Sequence, residues 1–328
     1  MPVPTGCAMH AGLLLPGAVF MSTAATQHRL GLLLMIAGAA VDSTSGLFTR
    51  LVQLDGFTIA SGRGFAAFAF LLGVLFWTSG RGTLRRLMGV GVWGMAFVGL
   101  NAVGMVMNIL SLSLTSVANF FMIFATAPFV AAVGARVFLG ERLDPATLLA
   151  AVAGFIGITV MMVTGARSGA LLGDLLAVGC VLAYSGLVML MRYHRQMDIL
   201  PTIALTTLAS GLIALPFADF PTVGAGDALL LAVFGAFQLA IGNLLIFSAA
   251  SRIPAAQSGL LGILNAAFAP LWVFLFLGEV PPSATLAGGA IILTAAVAHL
   301  VWSLTRPAAQ GDAPPLRLIS TASGSRRR

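Results

Sequence analysis

The chain has 328 residues, of which 59% are hydrophobic and only 8% charged, and its mean hydropathy is +1.02. That composition excludes a soluble globular domain and a disordered chain, and leaves an integral membrane protein. The net charge of +7 comes from 17 basic residues, all arginine and mostly at the ends of apolar runs, which is the pattern of membrane loops and not of a nucleic-acid surface.

In chain order, residues 1–27 read as an N-terminal tail. The apolar run Ala11 to Met21 is broken by Pro16 and too short to span, no positive charge precedes it as in a signal peptide, and Met21-Ser22-Thr23 reads as an alternative start. Ten apolar spans of roughly 20 residues follow, at 30–49, 57–78, 88–110, 115–139, 147–165, 171–191, 202–218, 228–248, 254–277 and 285–304. Residues 306–328 form a basic C-terminal tail ending in three arginines. Two cysteines, Cys7 and Cys180, make neither a disulfide framework nor a metal site.

The fourth and fifth spans repeat. Sliding the chain by 138 positions lays Thr115 to Met161 over Ile253 to Leu300, so that Ala118 meets Ala256, Asn119 meets Gln257, and Phe138-Leu139-Gly140-Glu141 meets Phe276-Leu277-Gly278-Glu279. Each copy is two long helices joined by a tight polar elbow. In the first copy Asp144 is placed to cap the next helix, and Pro145 suits its first turn. The chain is therefore read as two five-helix repeats, 28–168 and 169–305, in an all-α membrane fold. With the N-terminus in the cytoplasm, fourteen arginines fall inside and only Arg50 and Arg167 outside, while Arg63 lies within a span. An odd span count per repeat makes the two copies face opposite ways. Inverted-topology repeats are the architecture of secondary transporters. Both termini are expected in the cytoplasm of a bacterial-type inner membrane.

The residues resemble those of the ten-span EamA-type transporters of the drug/metabolite transporter superfamily. The resemblance covers about 30 to 305 and rests on Arg63, Ala127-Pro128, Leu139-Gly140-Glu141-Arg142, Gly173-Asp174-Leu175-Leu176-Ala177, Pro270-Leu271-Trp272-Val273 and Leu277-Gly278-Glu279. It implies transport of small metabolites, often export, around a central cavity. One departure is Leu264-Asn265, where similar sequences often have Leu-Glu; a mechanism resting on an acid at that point does not carry over.

Polar residues inside the spans are the candidate site. Asp42 lies twelve residues into the first span, where an ionisable group costs about 3 kcal/mol or more and reads as functional. At about 1.5 Å per residue it sits about 12 Å from the outer edge of a ~30 Å core, and Arg63 about 9 Å deep, so the two are expected to pair. Substrate binding or coupling is assigned to Asp42, Arg63, Asn101, Tyr184, Gln238 and Asn265, and gating or cavity lining to Trp93, Met105, Asn119, Asn243 and Gln257. Intramembrane amides also serve as glue between helices, which is the alternative for each. Glycines 94, 99, 104, 154, 157, 235, 242, 288 and 289 are expected to let helices approach closely. Glu141 and Glu279 fall on opposite faces and are expected to anchor their elbows.

No catalytic residue, metal site or cofactor is assigned. Gly224-Ala225-Gly226-Asp227 matches the G-x-G-D of intramembrane aspartyl proteases, but that chemistry needs a second aspartate within reach, and Asp227 reads as the cap of the eighth span. The expected function is a secondary transporter of small metabolites by alternating access, exporting amino acids or similar amphipathic solutes. Its partners are the solute, the lipid bilayer and, through Asp42, protons. The alternatives are a carrier of nucleotide-type solutes and a membrane channel or scaffold.

Overall fold

A computed structural model describes residues 16–139, 145–193, 197–250, 252 and 260–305, and all regular structure among them is helical. Nine helical stretches among the described residues are long and apolar enough to cross a membrane, and Ile263–Leu277 is a shorter apolar helix where the ninth span is predicted. Helix α1, Pro16–Asp42, already includes the end of the stretch read as tail. The first half continues with α2 (Ser45–Leu51), α3 (Gly56–Ser79), the short α4 (Thr83–Met88), α5 (Gly91–Leu114), α6 (Val117–Phe124), α7 (Ala127–Leu139) and α8 (Pro145–Ser168). The second half holds α9 (Leu171–Tyr193), α10 (Ile199–Ala214), α11 (Ala225–Val233), a π-helical stretch Phe234–Ile241, α12 (Gly242–Ala250), α13 (Leu260–Leu277) and α14 (Ser283–Thr305). The third span begins at Gly91, a few residues later than predicted, because α4 takes up the arginine-bearing segment before it.

Local chemistry sets the boundaries. Asp55 caps α3, its carboxylate accepting from Phe57 N at 2.9 Å and Thr58 N at 3.0 Å, and Ser116 caps α6 by accepting from Asn119 N at 3.1 Å. Pro145 opens α8 as expected; Glu141, Arg142 and Asp144 lie outside the described residues. The eighth span differs from expectation: Gly224, in extended backbone, occupies the cap position, and Asp227 falls inside the first turn of α11. The elbow after α13 turns on Gly278, whose φ of +68° is left-handed and whose N–H donates to Phe274 O at 3.0 Å, an ending that glycine adopts without steric cost.

Three spans are interrupted near membrane depth. The first breaks after Asp42, where the hydroxyls of Ser43 and Thr44 donate back to the carbonyls of Ala40 (2.9 Å) and Val41 (2.6 Å) and so satisfy groups the ended helix leaves open. The fourth breaks at Ala125 and Thr126, just ahead of Pro128, which has no N–H to continue the ladder of the preceding turn. The eighth widens into the π-helical stretch around Gln238, a distortion that recurs at functional sites.

The halves do not form separate bodies. α5 packs on α9 as α1 packs on α12; α7 packs on α9 as α1 packs on α13; α5 meets α10 as α3 meets α11 and the π turn. The pairs α3 with α10, α6 with α13 and α8 with α14 join equivalent spans of the two halves. Exchanging the halves converts each contact into another in the set, so the structure is a two-repeat fold with inverted topology. Close approach at the α8–α14 crossing depends on facing glycines: a Cβ on Gly288 would lie 2.6 Å from the Gly157 carbonyl oxygen, and one on Gly157 2.8 Å from that of Gly288. Gly99 departs from expectation, since the space a side chain there would enter is open.

Candidate functional site

Asp42 is the last residue of α1, at the negative end of that helix's dipole, so its carboxylate needs donors from elsewhere. It finds two carboxamides. Gln238 Nε2 donates to Asp42 Oδ1 at 3.0 Å and lies 3.3 Å from the Asp42 carbonyl oxygen; Asn265 Nδ2 donates to Oδ2 at 2.8 Å. Each carboxylate oxygen thus receives one amide donor from the second half of the chain. Gln238 and Asn265 are buried, and Asp42 is half-buried.

Arg63 does not reach Asp42 directly, contrary to the expected ion pair. Its Nη1 donates to Gln238 Oε1 at 3.3 Å, its Nη2 donates to the Met105 carbonyl at 3.1 Å, and its guanidinium lies 5.0 Å from the centre of the Phe234 ring. The reason is geometric: α3 packs against the π turn with Gly235 against the Arg63 backbone, which brings Gln238 between the two charges. Beside this row, Trp272 Nε1 donates to Ser43 Oγ at 2.9 Å and ties α13 to the break in the first span. Asn265 Oδ1, fully buried, has no hydrogen-bond partner among the described residues.

Other expected site residues divide. Met105 contributes its carbonyl and packs its side chain in the cluster around Leu71 and Leu75. Asn101 is half-buried in α5 and has no hydrogen bond to the Asp42 cluster among the described residues. Tyr184 stacks at a tilt on Phe124, with centroids 5.3 Å apart, in the neighbouring core. Asn243 donates to the Leu239 carbonyl at 2.6 Å and so serves its own helix. Trp93 does not line the cluster: it sits in the first turn of α5, 47% exposed, roughly 18 Å along the helix from Met105 at 1.5 Å per residue. Gln257 lies outside the described residues.

A second polar cluster lies at the face that carries the Glu279 elbow, and Asn119 belongs to it. Asp174, in the first turn of α9 and 0% exposed, accepts on its Oδ1 from Thr115 Oγ1 at 2.7 Å and from Asn119 Nδ2 in a short hydrogen bond. Asn119 Oδ1 accepts from Thr285 Oγ1 at 3.0 Å. The Thr115 carbonyl accepts from Arg50 Nη2 at 2.9 Å, and Arg50 Nε is 3.2 Å from Glu279 Oε2. Glu279 thus anchors its elbow as expected. At the opposite face Arg86 and Asp198 form an exposed two-pronged ion pair at 2.7 and 2.8 Å, and His299 meets Thr147 at 2.9 Å within the α8–α14 pairing.

Sequence reasoning missed Asp174 as a buried network acid. Three residues into a span, it reads as a charge that merely complements a helix start; the one signal was its place in Gly173-Asp174, where Gly173 lets the backbone at Leu114 and Thr115 come close.

The model of the EamA-like transporter family matches residues 29–163 and again residues 171–301. A solved structure titled only "Crystal structure of protein" is similar in fold, with 19% identity over 84% of this chain and 99% of its own and a TM-score of 0.61. Among curated proteins, none matches the chain. Two family matches, one to each half and together spanning most of the length, agree with the repeat packing, and the chain belongs to the EamA-like transporter family.

Proposed function

We propose that the chain is a secondary transporter that works by alternating access and exports amino acids or similar amphipathic solutes. The observation that carries the reading is the position of Gln238. Its N–H donates to a carboxylate, as a substrate ammonium would, and its carbonyl accepts from a guanidinium, as a substrate carboxylate would. A zwitterion that displaces this side chain finds an acid and a base already separated. The unused Asn265 Oδ1 offers an acceptor to one further ammonium hydrogen, and the half-buried Trp272 offers apolar surface beside the row. In this reading the interrupted first and eighth spans supply the site, as broken helices do at transporter midplanes. The excess of arginine on one side supports cytoplasmic termini and an outward-facing Glu279 elbow in a bacterial-type inner membrane.

The test is efflux from proteoliposomes loaded with a pool of labelled amino acids and nucleoside-type metabolites. Selective efflux of an amino acid, reduced at least tenfold by Asn265→Leu while the variant unfolds at the temperature of the parent, supports the proposal. Efflux of nucleoside-type solutes alone, or amino-acid efflux that Asn265→Leu leaves unchanged, overturns it.

A further inference from the structure

The two buried acids are bonded in different ways. Asp42 receives one donor on each oxygen, the distribution that suits an ionised carboxylate. At Asp174 both donors, the Thr115 hydroxyl and the Asn119 amide, converge on Oδ1, while Oδ2 is buried with no partner among the described residues. That distribution suits a carboxylic acid better than a carboxylate: the carbonyl oxygen takes both donors, and an O–H on Oδ2 without an acceptor among the described residues costs less than a bare ionised oxygen. An ionised carboxylate with one bare oxygen, out of water and without a cation, is an expensive group to keep.

The charged groups around Asp174 bear this out. α5, α6 and α14 bring no charge to it: α5 and α6 have no ionisable side chain, and His299 is at the far end of α14. On α7 the basic residue is Arg136, in the last turn and so at the opposite face. α8 ends on this face and carries Arg167, whose side chain lies outside the described residues. Asp55 is engaged as the cap of α3. Among the described side chains Arg50 is the cation placed beside the network, and it is committed to Glu279 and to the Thr115 carbonyl. Arg50 and Asp174 therefore bond to the same residue, Thr115, from two sides. Arg50 is thus one residue removed from Asp174, and in this conformation Glu279 holds it.

We propose that Asp174 is a proton-binding site that latches the Glu279 face. A proton taken from the water on that side sits on the Asp174 carboxyl while the face is closed, and returns to the same water when the face opens. With Asp174 neutral, Arg50 stays on Glu279, and the Thr285–Asn119–Asp174–Thr115 chain ties α14 and α9 of the second half to α6 and the end of α5 of the first. Loss of the proton leaves a buried carboxylate that competes with Glu279 for Arg50 and is satisfied by water, so the ties part. Asp174 is three residues from the start of α9, about 4.5 Å along the axis, so it meets water as soon as Thr115 and Arg50 move away. The inference goes beyond the proposed function and does not depend on which solute is carried.

The test reads opening without a substrate. Ala118, 4% exposed, lines a small recess under the elbow with Val117, Pro270, Val273, Glu279 and Pro281. In full-length protein with Cys7 and Cys180 replaced by serine and alanine, Ala118→Cys is alkylated by a hydrophilic maleimide between pH 5 and 9, each rate divided by that of the same cysteine in unfolded protein. One linked proton predicts a relative rate rising about tenfold per pH unit while the closed form dominates. Asp174→Asn, which copies the neutral acid, gives a slow and flat profile. Glu279→Gln raises the rate at every pH. The double variant Asp174→Asn with Glu279→Gln is again fast but flat, which shows that the asparagine variant is folded and able to open. A slope that survives Asp174→Asn, or a parent with no slope, overturns the proposal.

Discussion

Replacing Gln238 with leucine removes a side chain that contacts both charges of the intramembrane row. The change deletes an N–H donated to Asp42 Oδ1 at 3.0 Å and a carbonyl that accepts from Arg63 at 3.3 Å, and leaves a similar volume behind. In water-soluble proteins a hydrogen bond to a charged group contributes about 1.5–3 kcal/mol. Within membranes the measured contribution is smaller, averaging about 0.6 and reaching about 1.7 kcal/mol, because the unfolded chain finds partners too. Two bonds at the upper part of the membrane range, one of them long, give about 2 kcal/mol, or about a 30-fold shift in the folding equilibrium. Equilibrium unfolding in mixed micelles measures it. A double-mutant cycle with Asp42→Asn then isolates the pairwise term, which is expected at about 1 kcal/mol. A Gln238→Leu variant within about 0.5 kcal/mol of the parent, with no coupling to Asp42, would refute the claim that Gln238 bridges the two charges.

Two further substitutions test the packing. Gly288→Val drives methyl groups into the Gly157 backbone, where even a Cβ lies 2.6 Å from the carbonyl oxygen, so the α8–α14 crossing must widen; the expected cost is about 2 kcal/mol or more, as for overpacked cores, seen as a lower unfolding midpoint, whereas Gly99→Ala, placed in open space, changes it little. Gly278→Ala puts a side chain on a left-handed residue at φ +68° and is expected to cost about 1–2 kcal/mol, with faster alkylation of the Ala118→Cys probe because the elbow that carries Glu279 loosens.

The spans were legible because the bilayer dictates them. A run near 20 apolar residues bounded by arginine has few other meanings, and the slide that superposes Leu139-Gly140-Glu141 on Leu277-Gly278-Glu279 reveals the repeat without any structure. What could not be read was rotation about each helix axis. Depth arithmetic placed Asp42 and Arg63 within reach of each other, but only the packing of α3 against the π turn shows that Gln238 lies between them. The interruptions were hidden for a related reason: Ser43-Thr44-Ser45 is compatible with a continuous helix, and the break is set by what α12 and α13 bring alongside. Asn119, expected to gate or line the cavity, lies instead in the buried cluster of Asp174, an acid whose one local signal was the glycine before it.

The interleaving of the two halves bears on how the chain is made. Ribosomes deliver α1 through α8 first, and that portion already contains Asp42 and Arg63 while Gln238 and Asn265 are still unsynthesised. For that interval an acid and a base stand at membrane depth without the amides that later hold them, and α1, α3 and α5 lack the neighbours on which they pack most extensively. The early helices must therefore wait at a sheltered location, in the insertion machinery or against one another, until the late helices arrive. Most helix contacts of the first half can form only after the second half is made, and fragments covering one half are expected to be cleared unless the other half is supplied in trans.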